Sequence, residues 1–158
     1  MLDVMATRSA QPRVCSIART LEIVGEKWAL LAVREVFLGN RRFDEMVRRI
    51  GAPRDTLASR LRALTGAGIL ERRQYSEHPA RFEYFLTQAG RDLYPVILTL
   101  MRWGDTHLTD GGEPPLVLEH ECGAHLKAQV ICEACGQPAA VGTARPLYRQ
   151  SSRNSSGS

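Results

Sequence analysis

Three cysteines near one end of the chain have a spacing that metal chemistry uses. Cys132-Glu133-Ala134-Cys135-Gly136 is a Cys-x-x-Cys pair followed by glycine, and Cys122-Gly123 repeats half of it. One tight turn can set two thiolates on one ion, and the glycine lets the backbone curl around the sulfur. A closed tetrahedral zinc site needs a fourth ligand. His120 is the first candidate, because His-x-Cys keeps both donors on one side of an extended strand, and His125 is the alternative. Such a site is structural, with no open position for catalysis. Two other readings stay open: a redox Cys132–Cys135 pair, which has no thioredoxin-like βαβ pattern around it, and the relic of a metal site with free thiols. The fourth cysteine, Cys15, precedes an apolar-periodic run, with Arg13 and Arg19 close by. Positive charge and a helix N-terminus both favour thiolate, so Cys15 is a candidate redox sensor; the other reading is a small buried cap residue.

A second chemistry lies in the arginines. Residues 41–81 hold ten arginines against five acids, and every basic residue there is arginine. The whole chain of 158 residues carries +4, so the charge is focused in this segment. A focused basic segment is the footprint of phosphate binding, and arginine suits bidentate contacts to phosphate and guanine. At its centre lies PRDTLASRLRALTGAG, residues 53–68. Leu57, Leu61 and Leu64 recur at helical spacing, which puts Asp55, Ser59 and Arg62 on the opposite face, with Arg54 and Thr56 near the helix start. A helix entering a DNA major groove presents such a face. The candidate base-reading residues are Arg54, Asp55, Thr56, Ser59 and Arg62. Those for the DNA backbone are Arg41, Arg42, Arg60, Arg72, Arg73, His78 and Arg81, some of which are expected to pair with Glu71 or Glu83 instead. No Gly-rich phosphate loop occurs, and no nucleophile has an evident base and orienter, so the chain does not read as an enzyme.

The elements that must position these residues follow from periodicity. Ile17, Leu21 and Val24 predict a helix stopped at Gly25, and Lys27 to Leu38 predicts a second that is mostly buried. Arg41-Arg42-Phe43 adds a short strand or opens a third helix, in which Phe43, Met46, Val47 and Ile50 face inward; Gly51-Ala52-Pro53 breaks it. After the central helix, residues 69–75 and 81–86 read as two strands around a polar turn at 76–80. Helices followed by a hairpin with arginines at base and tip is the order of a winged helix-turn-helix. Thr87 can cap a long last helix with weak points at Gly90 and Pro95. From Leu93 to Trp103 that helix is apolar nearly all round. It therefore needs a second cover, either a copy of itself or its own tail.

The expected organisation is a disordered N-terminus (1–12) and a winged helix-turn-helix domain with a dimerisation helix (13–110). A linker (111–115), a small β-rich, zinc-ribbon-like unit (116–148) and a disordered tail (149–158) follow. The fold class is thus mainly α with a β-hairpin wing. A unit of about 33 residues buries too little surface to fold alone, which is the physical need for a metal. No apolar run is long enough to span a bilayer, and the start lacks the apolar segment of a secretory signal, so the expected location is the cytoplasm.

Residues 15–108 resemble the HxlR-type winged-helix transcriptional regulators, relatives of the MarR group. The likeness is carried by Cys15 followed by IARTLEIVGEKWALLAVREVFLGNRRFDEM, and by TLASRLRALTGAGILERRQYSEHPARFEYFLTQAGRDLYPV. It implies a homodimer on a palindromic operator, a repressor by expectation, that answers an oxidant or a small molecule. It also implies that Cys15 occupies the position where some members carry a redox-sensing thiol. The chain departs at Ser16, where the family usually has proline. The rival reading is a winged-helix dimerisation scaffold whose zinc unit docks a protein partner.

Overall fold

The computed structural model describes residues 15–109 and 111–147. The expected disordered ends, together with Arg13 and Tyr148, lie outside these residues. Four helices come first: α1 (Ser16–Val24), α2 (Lys27–Phe37), α3 (Phe43–Ile50) and α4 (Arg54–Gly66). An antiparallel hairpin follows, β1 (Leu70–Glu77) with β2 (Ala80–Leu86), and then α5 (Gln88–Arg91) and α6 (Tyr94–His107). The fold is mainly helical with a two-stranded hairpin, in the order read from the sequence.

The local chemistry explains the joints. Gly51 closes α3 at φ +70°, a left-handed conformation that a side chain resists, and donates its N–H to Val47 O at 3.0 Å. Pro53 then precedes the first turn of α4 in extended conformation, and Asp55 in that turn suits the positive end of the helix dipole. The predicted stripe Leu57, Leu61 and Leu64 is fully buried. Each of these leucines contributes about 1.5–3 kcal/mol by leaving water. They pack in a core with Val24, Ala32, Val33, Met46, Leu70 and Ile97. Of the four α3 residues expected inside, Met46 is fully buried, while Phe43, Val47 and Ile50 are half-buried. In α1 only Val24 is buried, and Ile17 is 70% exposed.

Three joints refine the sequence reading. The strands run to Glu77 and from Ala80, so the turn is only His78-Pro79. Ser76 and Glu77 are polar, but a hairpin end in water pairs through its backbone and needs no apolar side chain. Arg41-Arg42 does both things that were left open. Tyr84 N–H donates to Arg41 O at 2.9 Å and Arg42 bridges to Glu83, while α3 begins at the next residue. The expected long last helix is two helices. Thr87 caps α5 by accepting from Gly90 N–H at 3.1 Å and anchors it by donating to Gly68 O at 2.6 Å. A Cβ on Gly90 would stand 2.2 Å from Ile69 O, so glycine is what lets α5 lie against the start of the hairpin.

By backbone packing the chain divides between Ile97 and Leu98, within α6. The tail expected to be β-rich holds two isolated bridges among its described residues, Glu119 with His125 and Ile131 with Pro138, and no strand. Hydrogen-bonded turns do the rest. Gly123 N–H reaches His120 O at 2.8 Å and Gly136 N–H reaches Cys132 O at 2.7 Å.

Candidate nucleic-acid interface

The outer face of α4 carries Asp55, Ser59 and Arg62 exposed to solvent, with Thr56 half-buried. Arg54 is exposed as well, but its Nη2 donates to Asp44 Oδ1 at 2.7 Å and its guanidinium lies 4.9 Å from the Phe43 ring centre. Arg60 turns away from this face, 3.4 Å from Glu26, and its Nε is buried with no hydrogen-bond partner among the described residues.

Between α3, α4 and the hairpin lies a groove of about 650 Å³. Five arginines line it: Arg42, Arg48, Arg62, Arg72 and Arg81. Among the described residues no carboxylate lies within 4 Å of Arg48, Arg62 or Arg81. Asp44 and Glu45 line the groove too, so five arginines face two carboxylates, and the excess positive charge attracts an anion. Arg48 belongs to this set although the sequence reading passed it over. The signal was present in the phase of α3, since Asp44 and Arg48 are four residues apart and share one helix side.

Aromatic rings order the other arginines. Arg72 lies 3.4 Å over Phe82, Arg42 4.7 Å over Tyr75, and Arg41 and Arg73 both lie 4.5 Å from Phe85. Two of them also pair in the chain. Arg42 Nε donates to Glu83 at 2.9 Å, and Arg73 donates to both oxygens of Glu71 at 2.9 Å. These hydrogen bonds raise the pKa of Arg42 and Arg73, and the bond from Arg73 lowers that of Glu71. His78 stands exposed at the hairpin turn.

A buried polar lock holds the segment behind these residues. Glu35 is only 2% exposed; its carboxylate accepts from Arg34 at 2.6 Å and from Asn40 Nδ2 at 2.7 Å. Asn40 N–H reaches Glu35 O at 2.9 Å. Arg41 and Arg42 follow directly, so the lock fixes the edge from which both reach the hairpin. In the sequence Glu35 reads only as one polar residue in an apolar helix, with nothing to pair it to Asn40.

The cysteines stand apart from this interface. Cys15 is at the N-cap of α1, exposed and without a side-chain capping bond, which corrects the buried-cap reading. Cys122, Cys132 and Cys135 are free and exposed. The Cys132 pKa is lowered by hydrogen bonds from the backbone N–H groups of Ala134 and Cys135 and from the Cys135 thiol. His120 Nδ1 accepts from Cys122 N–H at 3.3 Å. Among the described residues no three His, Cys, Asp or Glu side chains gather as ligands for one ion.

A polar helix face beside an arginine groove, with a hairpin closing its far side, defines a winged helix-turn-helix protein. A model of the HxlR-like helix-turn-helix family matches residues 23–111, and the chain belongs to that family. An uncharacterised HTH-type transcriptional regulator of Mycobacterium tuberculosis is 50% identical over 123 residues, covering 77% of this chain and 78% of its own length. Among solved structures, PA1607, described as a candidate transcription factor, is 31% identical with a TM-score of 0.74, covering 87% of this chain and 97% of its own. That coverage exceeds what residues 1–111 can supply, so the tail takes part in the likeness. The redox regulator HypR in its oxidised form is 32% identical with a TM-score of 0.52, covering 59% of this chain and 97% of its own. The protein is a DNA-binding transcriptional regulator of the helix-turn-helix type, and not an enzyme. No described helix is long and apolar enough to cross a membrane.

Proposed function

We propose that the protein is a cytoplasmic homodimeric repressor that binds a palindromic operator in double-stranded DNA and releases it on a chemical signal. The observation that carries this reading is the groove beside the polar face of α4, where five arginines outnumber Asp44 and Glu45 and where, among the described residues, Arg48, Arg62 and Arg81 form no ion pair. On this reading Asp55, Thr56, Ser59 and Arg62 read bases, joined by Arg54 once it leaves Asp44. Arg41, Arg42, Arg48, Arg72, Arg73, His78 and Arg81 hold the backbone, and Arg60 is a brace to Glu26. The dimer is supported by exposed apolar side chains on α1 and α6, among them Ile17, Leu100 and Trp103. Two α4 helices related by a two-fold axis read half-sites about 10 bp apart. Sequencing of genomic fragments retained by the purified protein tests the reading; absence of salt-dependent, site-selective retention would refute it.

Two readings of the cysteines belong to the same proposal. Cys15 is an exposed thiol at the N-cap of α1, open to an oxidant in solution. Oxidation of Cys15 then changes operator affinity, and Cys15→Ser abolishes the change; an unreactive thiol in the folded protein removes the sensor role. A structural zinc ion is held by Cys122, Cys132 and Cys135 with His120, or His125 in its place. The donor chemistry is that of a zinc site, three exposed thiols with a histidine two residues before the first. Among the described residues these donors do not gather at one point, so holding the ion would require the tail to rearrange.

A further inference from the structure

Among the described residues from Leu98 to Leu147 no side chain is buried. In place of a dry interior this part of the chain has a cleft of about 600 Å³. One wall is a face of α6, on which Leu98, Met101, Arg102 and Asp105 recur at helical spacing. The other wall is made by residues 113–118 and 125–128, joined where Leu126 N–H donates to Leu118 O at 2.7 Å. Leu116, Leu118 and Leu126 line that wall and are only half-buried, so apolar surface is left facing water. The volume falls in the range of small-molecule sites, about 300–1,000 Å³.

The rim states the charge of the occupant. Arg102 and Lys127 are balanced there by Asp105 and Glu113, and Arg102 already donates to Ala128 O at 2.5 Å. A balanced rim draws neither anions nor cations, while Thr106 offers a hydroxyl. We propose that this cleft is the effector site, taking an uncharged, largely apolar organic molecule of small-drug size with one hydrogen-bonding end. This rests on the reading of the protein as a signal-responsive dimer. The other side of α6 exposes Leu100 and Trp103, so an occupant packed on Met101 and Leu98 orders the same helix that presents the dimer face.

The test uses Nile red, an uncharged apolar dye, titrated into the full-length protein without DNA. The expected result is saturable, blue-shifted emission at one dye per chain. Leu118→Trp, which fills the cleft, weakens it by about tenfold or more. Leu126→Ala, which enlarges it, shifts emission and affinity, whereas Leu38→Ala, at an exposed leucine that does not line the cleft, does neither. Non-saturable uptake, or wild-type binding by both cleft variants, overturns the site. Operator binding is then measured with and without saturating dye. A change in affinity in the wild type that is absent in Leu118→Trp supports the effector role, and an unchanged affinity overturns it. Cleft-dependent dye binding by a protein with no affinity for any DNA overturns the regulator reading alone.

Discussion

Arg54 shows how one side chain can hold two jobs. It stands at the N-terminal end of α4, where base contacts are made, yet it is tied to Asp44 and stacked on Phe43. Arg62 has no such tether. Arg62→Ala should therefore cost about 1–3 kcal/mol for the correct operator and relax selectivity at one base pair. Arg81→Ala should weaken all sequences alike and reduce the salt slope by about one. Fluorescence anisotropy across a salt series separates the two outcomes. The Glu71–Arg73 pair gives a pH expectation. The hydrogen bond from Arg73 holds the Glu71 carboxyl below its ordinary range. Its contribution is thus present above the unfolded pKa and fades only as pH falls through the lower, folded one. Both groups are exposed, so solvent screening keeps that contribution small and the titration midpoint is what reports it. An NMR titration should find the Glu71 midpoint low in the wild type and ordinary in Arg73→Ala. Gly90 is a residue whose replacement should destabilise the fold. In Gly90→Ala the new Cβ meets backbone, which cannot swing aside, and the thermal midpoint should drop.

At the scale of elements, the helices and the hairpin were legible because periodicity reports one buried face. Leu57, Leu61 and Leu64 give α4, and the alternation from Arg81 to Leu86 gives β2. What periodicity misses is pairing between elements. Nothing local in the sequence says that Arg54 meets Asp44, that Arg41 and Arg73 share Phe85, or that Glu35 pairs with Asn40. The break between α5 and α6 was half legible, since Gly90 and Pro95 mark it but the approach to Ile69 that needs glycine does not show. The lock leads to a prediction about the hairpin. Glu35→Ala leaves Asn40 unpaired in a buried place, at a cost of about 1–3 kcal/mol. It should also weaken operator binding at temperatures where the protein is still folded. Glu35→Gln keeps the acceptor for Asn40 and should recover most of the affinity. A double-mutant cycle with Arg42→Ala decides whether the loss runs through the hairpin edge. Strong non-additivity means that it does, and additive losses mean that Glu35 is only a packing residue.

For the whole molecule, the metal is the first test. Elemental analysis with native mass spectrometry should find one zinc per chain, lost in Cys132→Ser together with the order of the tail but not with the folding of residues 15–97. Metal-free protein with an ordered tail would sink the zinc proposal. The tail was legible only as donor chemistry. Its few bridges and turns lack the repeating side-chain pattern that reports strands. The charge map carries a separate consequence. Residues 41–81 hold the excess of arginine, and the remaining residues together carry one more acid than base. Such a molecule is electrically lopsided, and a polyanion exerts a torque on it during approach. It should therefore meet DNA arginine-side first, so that a larger share of diffusional encounters is productive. The effect belongs to kinetics. The association rate constant should fall steeply as salt screens the field. Moving two arginines to the opposite end of the chain, at equal net charge, should slow capture.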